Sequence, residues 1–303
     1  MVGTIYVQES RFRARRIGAA LVARNIARHL ETALADQPGS FRPLVYCWRG
    51  GQRSNAMATV LSQVGWRSAV LEGGYRTYRR HVKARLYDET SDLQLVMLDG
   101  QTGSAKTEIL NRVAAHGVQT LDLEDLAQHR GSLLGALPGR PQPSQKMFES
   151  LLLRAMQALD PSRPVLVEAE GSKIGERMVP PALWRLMLAA PRISLQVPAQ
   201  ARARYLAGVY AGTVTDLDAL ENLLQRLPGR HGRKAVAAWR ALAEAGELEA
   251  LAASLIEAHY DPSYGRVASV DPRPRLAVLE LADLTDADQE AAADRIAAKL
   301  GVG

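Results

Sequence analysis

The sequence predicts an α/β protein of two parallel-sheet units, the second running into a helical C-terminal part, and three observations predict it. Short apolar runs that stop at a glycine or a polar loop recur along the chain, as strands buried on both faces do. Segments of helical periodicity lie between them, which is the rhythm of βαβ units. A polar, charged stretch, KARLYDETSD (83–92), separates the runs into two groups, giving expected domains 1–90 and 91–303.

Taken in order, RRIGAALVARNIARHLETALA (15–35) has its apolar positions at helical spacing. LVYCW (44–48) reads as the first buried strand, SNAMATVLSQVG (54–65) as an amphipathic helix and SAVLEG (68–73) as the next strand. LQLVMLDG (93–100) opens the second unit, and PVLVEAE (164–170) and PRISLQV (191–197) supply later strands. From about 200 to 260 the chain turns Ala/Leu-rich and helical, with no clear strand.

Composition sets bounds on the function. No uninterrupted apolar run approaches the ~18 residues of a membrane span, and no charged segment followed by an apolar one opens the chain as a secretion signal would. One cysteine in 303 residues cannot form an internal disulfide, which fits a reducing cytoplasm. The balance of 38 Lys+Arg against 32 Asp+Glu gives a net charge of +6. The excess gathers in RFRARR (11–16), RTYRRHVKAR (76–85) and GRHGRK (229–234). Any one cluster is an ordinary solvated face; three together suit a polyanionic partner such as a nucleic acid.

Two loops carry chemistry. The first is Cys47-Trp48-Arg49-Gly50-Gly51-Gln52-Arg53, between a strand end and a helix start. A helix N-terminus and clustered backbone N–H groups favour an anion, and so favour thiolate over thiol. Gly50 and Gly51 let the backbone curl around the sulfur, and Arg49 and Arg53 add positive charge, so Cys47 is the candidate nucleophile. A buried strand cysteine is the competing reading, but one of that kind needs no RGGQR behind it.

The second loop, Gly100-Gln101-Thr102-Gly103-Ser104-Ala105-Lys106-Thr107, follows a strand directly and departs at one position from the phosphate-cradling pattern G-x-x-x-x-G-K-[ST]. Gly100, Gly103, Ser104, Lys106 and Thr107 are the candidate phosphate contacts, with the Thr107 hydroxyl able to hold Mg²⁺. Ala105 stands where the second glycine is expected, and its methyl is tolerated if the residue already has helical dihedrals. Glu168 or Glu170, at the end of PVLVEAE, could orient a metal or a water, or be an ordinary strand-end carboxylate.

Together these segments resemble the bacterial tRNA 2-selenouridine synthases. VGTIYVQES (2–10), VYCWRGGQRS (45–54) and LEGGYRTYR (71–79) are similar to that family's rhodanese-like half. GQTGSAKTEIL (100–110), LDLEDLAQHRGSLLG (121–135), QPSQKMFES (142–150) and VEAEGSKIGERMVP (167–180) are similar to its P-loop half, and HYDPSYG (259–265) to its C-terminal signature. The resemblance implies a transferase that replaces sulfur with selenium in the wobble 2-thiouridine of tRNA, through an S-geranylated intermediate. It implies selenophosphate and geranyl diphosphate as substrates, tRNA and a selenophosphate-supplying enzyme as partners, and no membrane. By resemblance Cys47 carries selenium, and the loop at Gly100–Thr107 binds a diphosphate, of a nucleotide or of the geranyl donor. Asp122, Glu124, His129 and Arg130 are implied near the phosphate site, and the amides and hydroxyl of QPSQ (142–145) become candidate contacts to bases or phosphates. His259, Tyr260, Asp261 and Tyr264 read as a polar network that fixes the C-terminal end.

Three departures shape the expectations. The family carries a longer opening segment, with a strand ending in Asp-Val-Arg, so the rhodanese-like sheet is expected to lack its opening strands and to expose apolar faces. Ala105 is the second departure, and Gly171, where the family pattern has serine, is the third. Two other readings stand beside the transferase: a tRNA- or nucleotide-binding remnant with geranylation only or no activity, and a thiosulfate sulfurtransferase joined to a small kinase-like domain.

Overall fold

A computed structural model describes residues 2–48, 51–131, 135–137, 139–169, 171–211, 220, 222, 224, 231–262 and 273–301. The chain divides into two compact units, Met1–Ala84 and Arg85–Gly303. The boundary lies in the polar stretch 83–92, whose first residues are wound into a π-helical turn, Ala84–Asp88.

The first unit is mostly helical. Helices α1 (Val2–Gln8) and α2 (Arg11–Glu31) precede strand β1 (Leu44–Val45), and Ser10 caps α2 by accepting the Arg13 N–H. Helix α3 (Gln52–Val64) begins behind Gly51 and ends at Gly65, both left-handed, so the SNAMATVLSQVG periodicity corresponds to one bounded helix. Strand β2 (Ala69–Val70) pairs parallel with β1, and α4 (Tyr75–Lys83) follows. Leu61 and Trp66 are buried, with Phe41 edge-on to the Trp66 ring and the Trp66 indole N–H donating to the Pro38 carbonyl. Each strand is only two residues long, and Leu44, Tyr46 and Val70 are exposed.

The second unit is a parallel sheet with helices on it. Its strands are β3 (Gln94–Gly100), β4 (Gln119–Leu121), β5 (Pro164–Glu168), β8 (Arg192–Gln196) and β9 (Arg275–Glu280), in the spatial order β4-β5-β3-β8-β9. The first strand of the unit is thus central, and connections leave it toward both edges. Such a reversal opens a crevice at the carboxyl ends of the strands, where α/β sheets bind ligands. One sheet face, with Val96, Leu98, Ile193 and Leu195, packs on α5 (Lys106–Ala115) and α12 (Asp286–Lys299). Arg112 pairs with Asp286 and Glu290 to join those two helices.

The connections supply α6 (Leu123–Ala127), α7 (Gln145–Gln157), α8 (Pro181–Ala189) and an antiparallel hairpin, β6 (Lys173–Ile174) with β7 (Arg177–Met178). The Ala/Leu-rich region forms α9 (Ala199–Ala211), α10 (Arg233–Glu244) and α11 (Leu248–Leu255), closed around Leu206, Trp239, Leu251 and Leu255.

Candidate functional site

The phosphate loop sits at the carboxyl end of the central strand. Gly100 closes β3, and Lys106 and Thr107 open α5, so the loop's amides and the positive end of that helix face the same space. Gly100 has to be glycine: an added Cβ would meet Leu195 at 3.2 Å and crowd the Ser104 hydroxyl. At Gly103, φ is +85° and a Cβ would lie 2.9 Å from Leu206. Lys106 Nζ donates to the Gly100 carbonyl at 2.9 Å, which holds the ammonium across the loop. Ser104 is buried and its hydroxyl donates inward to the Gln101 carbonyl at 2.8 Å, so that side chain braces the loop.

Ala105 has φ 55° and ψ 32°, left-handed rather than right-handed helical, and it is buried. The dihedrals that would spare its methyl any strain are therefore not the ones it adopts. An L-residue pays about 1–2 kcal/mol there. A Cβ at Gly171 would meet nothing closer than 3.9 Å, so a serine fits that position without displacement.

Three acids gather beside the loop. Thr107 Oγ1 donates to Glu124 Oε2 at 2.9 Å, and the Glu124 backbone N–H donates to Glu168 Oε1 at 2.9 Å. Glu168 is fully buried at the end of β5, and its Oε2 has no hydrogen-bond partner among the described residues. Burial, then the charges of Asp122 and Glu124, hold its carboxyl well above the usual carboxylate range. Asp122 is pushed up as well, chiefly by burial, although it accepts the Asp125 N–H at 2.7 Å. It lies close enough to Glu168 to hydrogen-bond when one of the two is protonated. A proton or a cation between Asp122 and Glu168 satisfies both.

Tyr205 of α9 joins this side of the loop. Burial and a hydrogen bond to Glu108 raise its hydroxyl, and Arg130 and Glu124 act on it from nearby. Arg202, one turn before, is 2% exposed. It donates to the Thr102 carbonyl at 3.2 Å and forms a two-pronged pair with Asp261 at 2.9 and 2.7 Å.

Several expected contacts fall elsewhere. Gln142 donates to the carbonyls of Ala127 and Ile174 and accepts the Glu176 N–H, while Gln145 exchanges bonds with both backbone groups of Met178. The amides of QPSQ are thereby spent on the β6–β7 hairpin, and Ser144 caps α7. His129 packs under the same hairpin: a Cβ at Gly175 would lie 2.7 Å from its ring, and burial lowers its pKa. Arg130 is exposed. Glu170 and Tyr264 lie outside the described residues.

In the first unit, Cys47 is half-buried beyond the end of β1. Ser54, in the first turn of α3, approaches it with Oγ 3.5 Å from Sγ, which places the sulfur at a helix N-terminus. Gly51 opens that helix at φ +75°, and Arg53 is exposed on its first turn; Arg49 and Gly50 lie outside the described residues. Sequence reasoning read SAVLEG as a strand and LEGGYRTYR as part of the rhodanese-like half but did not link either to Cys47, yet the Tyr75 N–H donates to the Cys47 carbonyl at 3.0 Å and a Cβ at Gly74 would overlap that carbonyl.

A parallel sheet with its first strand central, a glycine-rich loop behind that strand, and a lysine and a hydroxyl heading the next helix define a P-loop protein. Residues 93–275 match the family model of the tRNA 2-selenouridine synthase AAA domain. The chain is 31% identical over 297 residues to the tRNA 2-selenouridine synthase of Cupriavidus pinatubonensis, covering 87% of this chain and 79% of that one. It is 34% identical over 215 residues to the Aeromonas salmonicida protein of that name, covering 69% of this chain and 56% of the relative. For the Nitrosomonas europaea protein the identity is 30% over 233 residues, with 75% and 60% covered. The chain thus spans little more than half the length of some of these relatives, and it belongs to the tRNA 2-selenouridine synthase family.

Proposed function

We propose that the chain is a tRNA-modifying transferase that replaces the sulfur of wobble 2-thiouridine with selenium, working in the cytoplasm and fed by a selenophosphate-supplying enzyme. The observation that carries this reading is the joint presence, in a member of this family, of a sulfur at a helix N-terminus and a phosphate loop backed by buried acids.

The loop at Gly100–Thr107 takes the diphosphate of geranyl diphosphate, its amides and Lys106 receiving the negative charge. Diphosphate departs as the thiocarbonyl sulfur bonds to the geranyl carbon, and the geranylated sulfur then leaves the uridine as a thiol when a selenium nucleophile attacks. The selenium nucleophile is selenophosphate: its selenium bonds to the uridine carbon as the geranyl thiol leaves, and water then cleaves the P–Se bond to release phosphate. The Cys47 sulfur, at a helix N-terminus that favours anions, is the group that receives and orients the selenium donor. Mg²⁺ fits this acid set, because Glu168 Oε2 is buried and undonated while Thr107 and Glu124 stand beside it. When bound it would neutralise charge on the diphosphate. No helix among the described residues is long and apolar enough to cross a membrane.

The narrower reading, geranylation without selenation, draws on the exposed Leu44, Tyr46 and Val70 of the first unit. One experiment separates the two: mass spectrometry of tRNA nucleosides after incubation with thiolated tRNA, geranyl diphosphate and selenophosphate. Selenouridine is the expected product. Geranylated thiouridine alone assigns activity only to the P-loop unit, and unchanged thiouridine removes the proposal.

A further inference from the structure

The Trp48 and Tyr75 rings stack at 4.7 Å between centroids and 15° between planes. Trp48 follows Cys47 directly, and the Tyr75 N–H is bound to the Cys47 carbonyl, so the pair is fixed to the backbone that carries the sulfur. Trp48 nevertheless remains 52% exposed, with Tyr46, two residues before it, at 53%. Tyr78 extends the aromatic set, 6.1 Å from Tyr75. The helix that supplies Tyr75 is strongly basic: Tyr75–Lys83 holds four Lys and Arg residues and no acid, and Arg76 and Arg80 are exposed.

We infer that Trp48 and Tyr75 form a stacking platform for an unpaired nucleobase, delivered beside Cys47 by an RNA loop whose phosphates meet the arginines of α4. An open aromatic face beside cationic side chains is the arrangement that binds single strands, where every base offers a π-face and the backbone offers charge. Bases within a duplex are already stacked and cannot enter. An apolar protein partner would leave the positive charge of α4 unmatched, whereas RNA phosphates neutralise it. The platform rests on the tRNA reading above and adds to it the residues that would receive the base.

The test is affinity of the full chain for two labelled RNAs, a hairpin with an unpaired loop and a blunt duplex of equal length. Trp48→Ala weakens hairpin binding at least about fivefold, the worth of one lost base stack, and leaves duplex binding unchanged. Trp48→Phe, which keeps a ring face, recovers most of the loss. Hairpin binding by Trp48→Ala equal to that of the wild type overturns the platform. Equal losses on hairpin and duplex overturn it too, since they report general charge or folding. If the wild-type chain binds neither RNA, the tRNA reading itself falls, which is a different result from binding that ignores Trp48.

Discussion

Arg202 and Asp261 are 59 positions apart and meet in a two-pronged ion pair, while the same guanidinium holds the Thr102 carbonyl of the phosphate loop. The helical region is thereby tied to the loop through one buried cation. Arg202 is 2% exposed, so its charge is tolerable only with Asp261 opposite it.

Asp261→Ala is therefore expected to cost on the order of 3 kcal/mol, near the low end for a broken buried pair because the Asp261 side chain is 30% exposed. The loop should loosen with it, so pyrophosphate binds more weakly. Thermal melting and pyrophosphate titration read the two effects. Asp261→Glu should retain part of both, whereas a surface-only role for Asp261 would leave the melting temperature within a degree or so of wild type.

Ala105→Gly runs the other way. The left-handed dihedrals of Ala105 are free to glycine and strained for alanine. The greater freedom of glycine in the unfolded chain offsets part of the gain. A net stabilisation of up to about 1 kcal/mol is expected, or about 2–4 °C in Tm for a unit of this size, with tighter phosphate binding. Unchanged melting and affinity would mean that the loop has already relaxed around the methyl.

Legibility in the sequence followed local signal. The strands at 94–100, 164–168 and 192–196 lie inside the apolar runs that announced them. Strand β4 escaped notice because Gln119-Thr120-Leu121 is short and mostly polar, and is a strand only through pairing with β5. Strand β9 and helix α12 were missed although Thr285 and Asp288 form a capping box, a signal that was there to be read. Lys106 and Thr107 were legible from spacing alone. Their supporting contacts were not: Glu124 is 17 positions from Thr107, and Glu168 is 44 from Glu124. Gln142 and Gln145 offered the opposite lesson, amides that resemble ligand donors but are consumed by backbone 32 to 34 residues away. No propensity encodes such pairings, because tertiary folding alone brings the groups together.

Glu168→Gln tests the buried acids through pH. Burial and the Asp122 charge raise the folded pKa of Glu168 well above its ordinary value of 4.5. The folded state then holds this proton more tightly than the unfolded chain does. Any penalty is absent below the unfolded pKa, grows as pH rises toward the folded pKa, and is full above it. Without divalent cation, wild type should lose stability from about pH 4.5 upward while Glu168→Gln does not, so the variant melts higher at neutral pH and alike at pH 4. Adding Mg²⁺ should raise the wild-type Tm more than the variant's. Parallel melting curves across the pH range would show that Glu168 titrates as an ordinary carboxylate.

Gly74→Ala tests how the first unit presents its sulfur. Gly74 has φ 59° and ψ −145°, a region that side chains avoid, and its Cα faces the Cys47 carbonyl so closely that a Cβ would overlap it. The new methyl must push apart the start of α4 and the end of β1, breaking the Tyr75 N–H bond to Cys47. A destabilisation of about 1–3 kcal/mol is expected from the backbone strain. Reactivity should change as well, since the displaced strand end carries Sγ away from the N-terminus of α3 and removes part of what favours thiolate. Cys47 is the sole cysteine, so the rate of alkylation by iodoacetamide at neutral pH, followed by mass, reads that one group without interference. Alkylation should change in rate in the variant. If the variant is less stable but its alkylation rate is unchanged, Gly74 supports the fold alone and the sulfur is presented from α3 without it.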